Sequence, residues 1–432
     1  MANTKLTRTF GTATSRTTGT FSFWIKASSF TGGLFDNYSD NSNRSIFYFG
    51  SNKFKFYDAV AGVEYNVADR VIKDCNGWYH VVLMINTSDG TQADRVRIYI
   101  NGERQTLSGS QDYNQNENSY MFNPSTTFTI GNDSTGSDYF NGAISHFHYC
   151  DGQAYDASSF GSTDSTTGEW KINTSPSVTY GNQGFFILKD GNSVTDSSSN
   201  SNAFSVASGT LTKTEDSPSN VFATWNPLFK PWSGDTTYTY GNTRLYNSHS
   251  THGASATTLG ATSGKYYMEM RQENANNIFV GVCGEGFVSD DINNKYSGNT
   301  EDATTGLFIY KSNGRKVVNG AGTNSYFTTY GSGDIIGIAL DLDASTRTVT
   351  FYKNGVADSA GTQNLPTNMQ TGYVFGAGIT WSGSAIQLNA GNGYFANNAI
   401  SSAGTNASGN GLFEYNIQPT DATALSTKGL NL

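Results

Sequence analysis

Charge is scarce in this chain: only 14% of its 432 residues are Asp, Glu, Lys or Arg, and they sum to −9 at pH 7. A nucleic-acid partner would demand a basic stripe, and the 26 Lys and Arg residues are scattered, so that partner class is disfavoured. Cysteine is rarer still. Cys75, Cys150 and Cys283 are odd in number and far apart, which argues against a disulfide framework and predicts folding in a reducing cytoplasm. No apolar run reaches transmembrane length, and Met1–Thr7 lacks the apolar stretch of a signal peptide. Heptads and collagen-like triplets are missing too, so no fibrous stalk is expected. Helical periodicity is the last absence. No window of ten or more residues repeats near 3.6, and the best short helix candidate is Thr420–Thr427. Helix bundles and βαβ alternation do not fit such a chain.

What the chain has is aromatics and turns: 27 Phe, 25 Tyr, 6 Trp and 48 Gly, with Ser, Thr, Asn and Gly separating short apolar segments. That is the pattern of many short strands. One unit occurs twice. Arg95-Val96-Arg97-Ile98-Tyr99-Ile100-Asn101-Gly102 follows the apolar run Trp78–Asn86 and a polar turn. Arg347-Thr348-Val349-Thr350-Phe351-Tyr352-Lys353-Asn354-Gly355 follows Ile335–Leu342 in the same way. Strand, turn, strand, Asn-Gly spells a β-meander, because Asn and Gly accept the positive φ of a tight hairpin. Two copies predict two β domains.

The first region spans 1–190. In Phe21–Lys26, Phe21, Phe23 and Ile25 alternate with Trp24 as a strand requires, and Ser45–Phe49 and Lys53–Tyr57 form a hairpin. Residues 191–235 read as a linker, and Phe222, Trp225, Leu228, Phe229 and Trp232 predict that it packs on a domain. A second region at 236–400 carries further strands, with Ile336, Ile338, Leu340 and Leu342 on one face and Val349 and Phe351 towards the same core. Residues 401–432 read as a C-terminal tail. The predicted fold is all-β, two antiparallel β-sandwich domains joined by a packed linker.

The residues Phe21–Ile25, Gly77–Val82, Ile98–Gly102 and Phe140–Ser145 resemble a laminin-G-type, concanavalin A-like lectin domain of jelly-roll form. Gly264–Glu269, Phe279–Val282, Gly333–Asp341 and Val349–Gly355 resemble a SPRY domain. A further likeness lies between and after the two. Asp151–Gly161, Thr167–Trp170, Asp216–Asn220, Trp225–Leu228 and Ala424–Asn431 are similar to segments of virion proteins from tailed phages, especially marine ones. That resemblance implies a phage structural protein, a tail fibre or capsid decoration, made in the host cytoplasm and located on the virion. It also implies other virion proteins as partners, oligomers on the particle, and attachment to host-surface polysaccharide.

Candidate chemistry is thin. Glycosidases of the concanavalin A-like type place alternating acids on one strand, and Glu269-Met270-Arg271-Gln272-Glu273 comes nearest, though a solvated sheet edge explains it more simply. His146-Phe147-His148-Tyr149-Cys150 could suggest zinc but lacks further ligands, and Phe147 and Tyr149 suit the core. His80, beside Trp78, reads as a packed histidine. Asp133 and Asp138 would make at best a weak Ca²⁺ site, and turn acids capping amides are the simpler account. The expectation is therefore a non-enzymatic protein with no cofactor and no metal. The leading function is that of a surface-exposed phage structural protein, and sugar binding by aromatic and amide-rich loops is the most interesting further possibility. Its candidate residues are Asp36, Asn37, Tyr38, Tyr113, Asn132 and Asp133 in the first domain, and Tyr296 and Trp381 in the second. The alternatives are a receptor-recognition lectin proper and a polysaccharide depolymerase.

Overall fold

The computed structural model describes residues 3–75, 77–136, 138–189, 193–228, 236–248, 253–274, 278–284, 307–319, 321–367, 369, 372–379 and 382–431. The chain divides into two compact units, Met1–Lys213 and Thr214–Leu432. Both are built of antiparallel sheets, and no α-helix occurs among the described residues.

The first unit opens with β1 (Lys5–Thr9), β2 (Thr18–Ala27), β3 (Gly32–Asp40), β4 (Asn43–Gly50), β5 (Lys53–Asp58) and β6 (Val63–Val67). It continues through β7 (Tyr79–Asn86), β8 (Val96–Ile100), β9 (Glu103–Arg104), β10 (Leu107–Gln111), β11 (Thr127–Ile130) and β12 (Gly142–Asp151). Short strands β13 (Gly161–Thr163), β14 (Trp170–Ile172), β15 (Phe185–Ile187) and β16 (Ser205–Ser208) complete it. One sheet has eight strands in the order β10-β6-β5-β4-β3-β11-β1-β16, the other six in the order β15-β12-β2-β7-β8-β9. Their facing sides form the core. Phe21, Phe23 and Ile25 of β2 are fully buried there, as the alternation predicts. The Phe21 ring stacks 4.4 Å from Tyr149 and 5.6 Å from Phe128.

The stretch 191–235 does not stand between the units as a separate piece. Phe204 packs 4.7 Å from Phe185, and Ser205–Ser208 pairs with β1, so the residues up to Lys213 belong to the first unit. Phe222 and Trp225 are buried in the second. Leu228 is exposed, and Phe229 and Trp232 lie outside the described residues.

The second unit runs through β17 (Thr236–Thr239), β18 (Arg244–Asn247), β19 (Gly253–Ala256), β20 (Lys265–Gln272), β21 (Ile278–Gly284) and β22 (Leu307–Lys311). Then come β23 (Lys316–Val318), β24 (Ala321–Thr323), β25 (Ile335–Asp341), β26 (Thr348–Lys353), β27 (Val356–Ala357) and β28 (Gln363–Asn364). The last are β29 (Tyr373–Ile379), β30 (Ala385–Asn389), β31 (Tyr394–Phe395), β32 (Asn398–Ala399) and β33 (Thr423–Ala424). One sheet orders as β17-β18-β30-β20-β25-β26-β27, the other as β19-β29-β21-β22-β23-β24. Ile336, Ile338, Leu340 and Leu342 face the shared core with Val349 and Phe351, as the period of two requires.

Residues 401–432, read from sequence as a tail, fold onto the outer face of this unit. Phe413, Ile417, Ala422 and Ala424 pack on Tyr267 and Ala339. Within Thr420–Thr427, the best short helix candidate, Thr423–Ala424 form strand β33, which pairs in parallel with Tyr266 and Tyr267 of β20. The reason is geometric: β30 pairs with β20 only over Glu269–Gln272, and β33 takes up the ladder where β30 stops. Glu269 is not on a solvated edge either. Its carboxylate is buried and accepts the backbone N–H groups of Glu414 (2.8 Å) and Tyr415 (2.9 Å) and the Asn389 amide (3.2 Å).

Both Asn-Gly turns adopt the expected conformation, with φ of 48° and 83° at Asn101 and Gly102 and of 49° and 79° at Asn354 and Gly355. They share a second feature. Asn101 N–H donates to His80 O (2.9 Å) while its side-chain oxygen accepts His80 N–H (2.8 Å). Asn354 does the same with Ile335 at 2.8 and 2.9 Å. A Cβ on Gly102 would clash with the Trp170 ring, and one on Gly355 would lie 2.6 Å from the Tyr415 ring. Each turn therefore seats an aromatic from a later segment.

Asn101→Ala and Asn354→Ala should each cost about 1–2 kcal/mol, read as a lowered urea midpoint of the unit concerned. Glu269→Ala orphans two buried N–H groups, and a loss of about 3 kcal/mol with protease cleavage inside 401–432 is expected. Burial raises the Glu269 carboxyl from its ordinary 4.5 to about 7. Between those values the folded state holds a proton that the unfolded state has released, so stability falls as pH rises from 4.5 towards 7 and levels above it. Calorimetry at pH 5 and pH 8 should show the lower midpoint at pH 8, and Glu269→Ala should shrink the difference.

Candidate functional site

The outer face of the six-stranded sheet is covered by the chain that follows β12. Asp151, fully buried, fastens this cover: its carboxylate accepts the N–H groups of Thr14 (2.7 Å), Gln183 (3.0 Å) and Ser15 (3.3 Å). Tyr155, Phe160, Trp170 and Tyr180 then pack over Val82, Tyr99 and Cys150. Trp170 Nε1–H donates to His80 Nδ1 at 3.0 Å, so the neutral ring carries its proton on Nε2 and donates to Ser22 Oγ at 2.9 Å. Burial holds His80 down to about 3, and Trp24 stacks on it at 5.0 Å. This is the packed histidine that its surroundings in the sequence suggested. His148 lies 3.8 Å from the Phe186 ring with Nδ1 3.0 Å from the Tyr180 hydroxyl, and burial keeps it well below the ordinary histidine range. Phe147 and Tyr149 face the core, as expected. Among the described residues no group of three His, Cys, Asp or Glu is placed to hold a metal ion.

The sugar-binding candidates of the first domain divide sharply. Asp36, Asn37, Tyr38, Asn132 and Asp133 gather where β3 meets β11, but most are inside the protein. Asp36 accepts Ser134 N–H (2.8 Å) and Oγ–H (2.7 Å), and burial pushes its carboxyl up to about 6. Asn37 donates to the carbonyls of Tyr120 (3.2 Å), Met121 (3.2 Å) and Asn123 (3.1 Å). Asn132 is fully buried, and Asp133 accepts Thr135 Oγ1–H at 2.6 Å, 3.9 Å from Arg44. Tyr113 is in the core, its hydroxyl donating to Asp58 at 2.6 Å. The physical reason is position. Gly32–Asp40 is a central strand with neighbours on both sides, not a loop, so its polar side chains serve its own scaffold. Tyr38 alone of these six stays half-exposed. Tyr296 and Trp381 lie outside the described residues.

A better surface lies beside Tyr38. On β4, β5 and β6 the core takes Phe47, Phe49, Phe54, Phe56, Val63, Tyr65 and Val67. The alternate residues Arg44, Ile46, Tyr48, Lys55, Tyr57, Glu64 and Asn66 face outward; Ile46 is buried and the others are half-buried. Register aligns them in rows: Tyr38 with Arg44, Tyr48 with Lys55 and then Asn66, and Tyr57 with Glu64. At about 4.8 Å between strands, the face from β3 to β6 is about 14 Å across. The Arg44 guanidinium sits 5.8 Å from the Tyr38 ring centroid. Tyr48 and Tyr57 were not among the sequence candidates, although the alternation in the hairpin they occupy already marks them as outward-facing. Of the acids on β20 and just after it, Glu273 is held by Arg244 at 2.6 and 2.8 Å, which lowers its carboxyl below the ordinary range.

Comparison with known proteins places these two sandwiches. Residues 3–154 match the family model described as the concanavalin A-like lectin/glucanases superfamily, and residues 265–393 match the SPRY domain model. Among solved structures, the SPRY domain of human HERC1 is similar at 18% identity and a TM-score of 0.28, over 38% of this chain and 96% of that one. Stonustoxin is similar at 17% identity and a TM-score of 0.28, over 39% of this chain and only 27% of the toxin. The PSpry domain of TRIM65 gives 14% identity and 0.27, over 39% and 91%. Comparison with curated proteins returns no match. The chain thus carries a concanavalin A-like domain in its first unit and a SPRY domain in its second.

Proposed function

We propose that this chain is a non-enzymatic surface-recognition protein whose concanavalin A-like domain holds saccharide on the outer face of β3–β6. The observation that carries the reading is the asymmetry of the first sandwich. The outer face of its six-stranded sheet is covered by the chain's own aromatics, while the β3–β6 face keeps Tyr38, Tyr48 and Tyr57 half-exposed among Arg44, Lys55, Glu64 and Asn66. Tyrosine rings offer apolar faces to sugar C–H groups, and the interleaved charges and amide bond hydroxyls. The non-enzymatic part rests on how the buried carboxylates are used: Asp36, Asp58, Asp151 and Glu269 each accept backbone N–H groups.

We place the protein on the surface of a tailed-phage particle, docked on other virion proteins and directed at host polysaccharide. The support is the likeness of Asp151–Gly161, Thr167–Trp170, Asp216–Asn220, Trp225–Leu228 and Ala424–Asn431 to segments of such proteins.

Two measurements test this. Binding of the full chain to a bacterial glycan array should be lost or weakened about threefold to tenfold by Tyr48→Ala and by Tyr57→Ala. Equal binding by wild type and both variants would overturn the assignment of the face. Mass spectrometry of purified particles should find the chain, in hundreds of copies for a capsid decoration or a few dozen at most for a tail component. Its presence in infected cells but not in particles would end the virion reading.

A further inference from the structure

One cation on the outer face of β3–β6 is held in place without a partner. Tyr48 and Gly50 of β4 face outward in register with Lys55 and Lys53 of β5. Gly50 has no positive φ that would call for glycine. What calls for it is space. A Cβ at this position would lie 2.8 Å from Lys55 Cε, 2.9 Å from its Cδ and 3.3 Å from its Nζ. The missing side chain thus lets the Lys55 stem lie flat on the sheet beside Tyr48, with its ammonium next to Gly50. The other charges of this face are engaged. Lys53 Nζ donates to the Ala68 carbonyl, and Arg44 stands 3.9 Å from Asp133 with its guanidinium by the Tyr38 ring. Glu64, the one acid among the outward residues of β4, β5 and β6, takes the Asn66 amide at 3.5 Å. Lys55 is half-buried and joins no hydrogen bond or ion pair with any described residue, and its nitrogen is open to solvent.

We propose, building on the saccharide reading of this face, that it selects saccharides that carry a carboxylate, with a pyranose ring on Tyr48 and the carboxylate on Lys55. The Tyr48 ring supplies an apolar surface for sugar C–H groups, and the ammonium lies in the same cross-strand row. A stem already laid flat has little rotamer freedom left to lose on binding. A lone ammonium is a point charge, so it matches one singly charged group at a time. Nucleic acid fits less well. Its phosphates need several cations in a track, and Lys55 is the one uncommitted cation among the outward residues of β4, β5 and β6. The chain's net charge of −9 also opposes long-range attraction of a dense polyanion, which leaves selection to the local contact.

The test is calorimetry on the full chain with a hyaluronan hexasaccharide and with its carboxyl methyl ester. The acid should bind about fivefold more tightly than the ester at about 0.01 M salt, and the two should bind alike at about 1 M. Lys55→Gln should abolish the preference and leave both the affinity for the ester and the thermal midpoint unchanged, because Lys55 has no partner in the fold. Gly50→Ala, which pushes the ammonium off its seat, should reduce the preference. Tyr48→Ala should weaken acid and ester alike. Binding of neither form would end the saccharide reading of the face and this proposal with it. Equal binding of acid and ester at low salt, a preference untouched by Lys55→Gln or by Gly50→Ala, or tighter binding of a single-stranded DNA oligomer would overturn this proposal alone.

Discussion

Irregular chain can lie over a sheet only if its backbone N–H groups find acceptors, and here buried carboxylates supply them. Asp151 takes the amides of Thr14, Ser15 and Gln183, and so ties the first turn of the chain to the cover on the six-stranded sheet. Asp196 takes those of Phe186, Ser198 and Asn202. Asp58 takes Tyr120, Val60 and Ala61, and Glu269 takes Glu414 and Tyr415. Each is an ionisable group in an apolar setting, tolerable because several dipoles converge on it. Without these contacts the aromatic covers would have no fixed path, and the sheet faces beneath them would be wet.

The strands were largely legible in the sequence because their signal is local. Phe21-Ser22-Phe23-Trp24-Ile25 states which face is buried within five residues, and each Asn-Gly turn names its own conformation. The covers were not legible, because their signal is long-range. Glu269 reads as a surface acid until one knows that Glu414 and Tyr415 come back to it, and residues 401–432 read as a tail for the same reason. The burial of Asp36, Asn37, Tyr113, Asn132 and Asp133 was illegible on the same ground. Asp36, Asn37 and Tyr113 are residue types found in sugar-binding loops, but those types serve equally as internal acceptors and donors, and only burial tells the two uses apart.

The two domains solve one problem alike. In both, a sheet is pinned at its Asn-Gly turn by an asparagine that pairs twice with the start of the preceding strand. In both, the turn's glycine lies against an aromatic of the covering segment, Trp170 or Tyr415. The folds differ, and so does what is left open: a tyrosine-bearing sheet face in the concanavalin A-like domain, a compact polar hollow in the SPRY domain.

The order of these contacts along the chain has a consequence for synthesis. Trp170 comes 90 residues after His80, and Glu414 comes 145 residues after Glu269. At about 5–20 residues per second on a ribosome, the β20 face waits roughly 7–30 s for its cover. During that interval β25, β26 and β30 of the same sheet are still being made, and Tyr267 and its neighbours are open to solvent on the nascent chain. Those aromatics therefore stay open on the nascent chain until Phe413–Ala424 emerge to cover them.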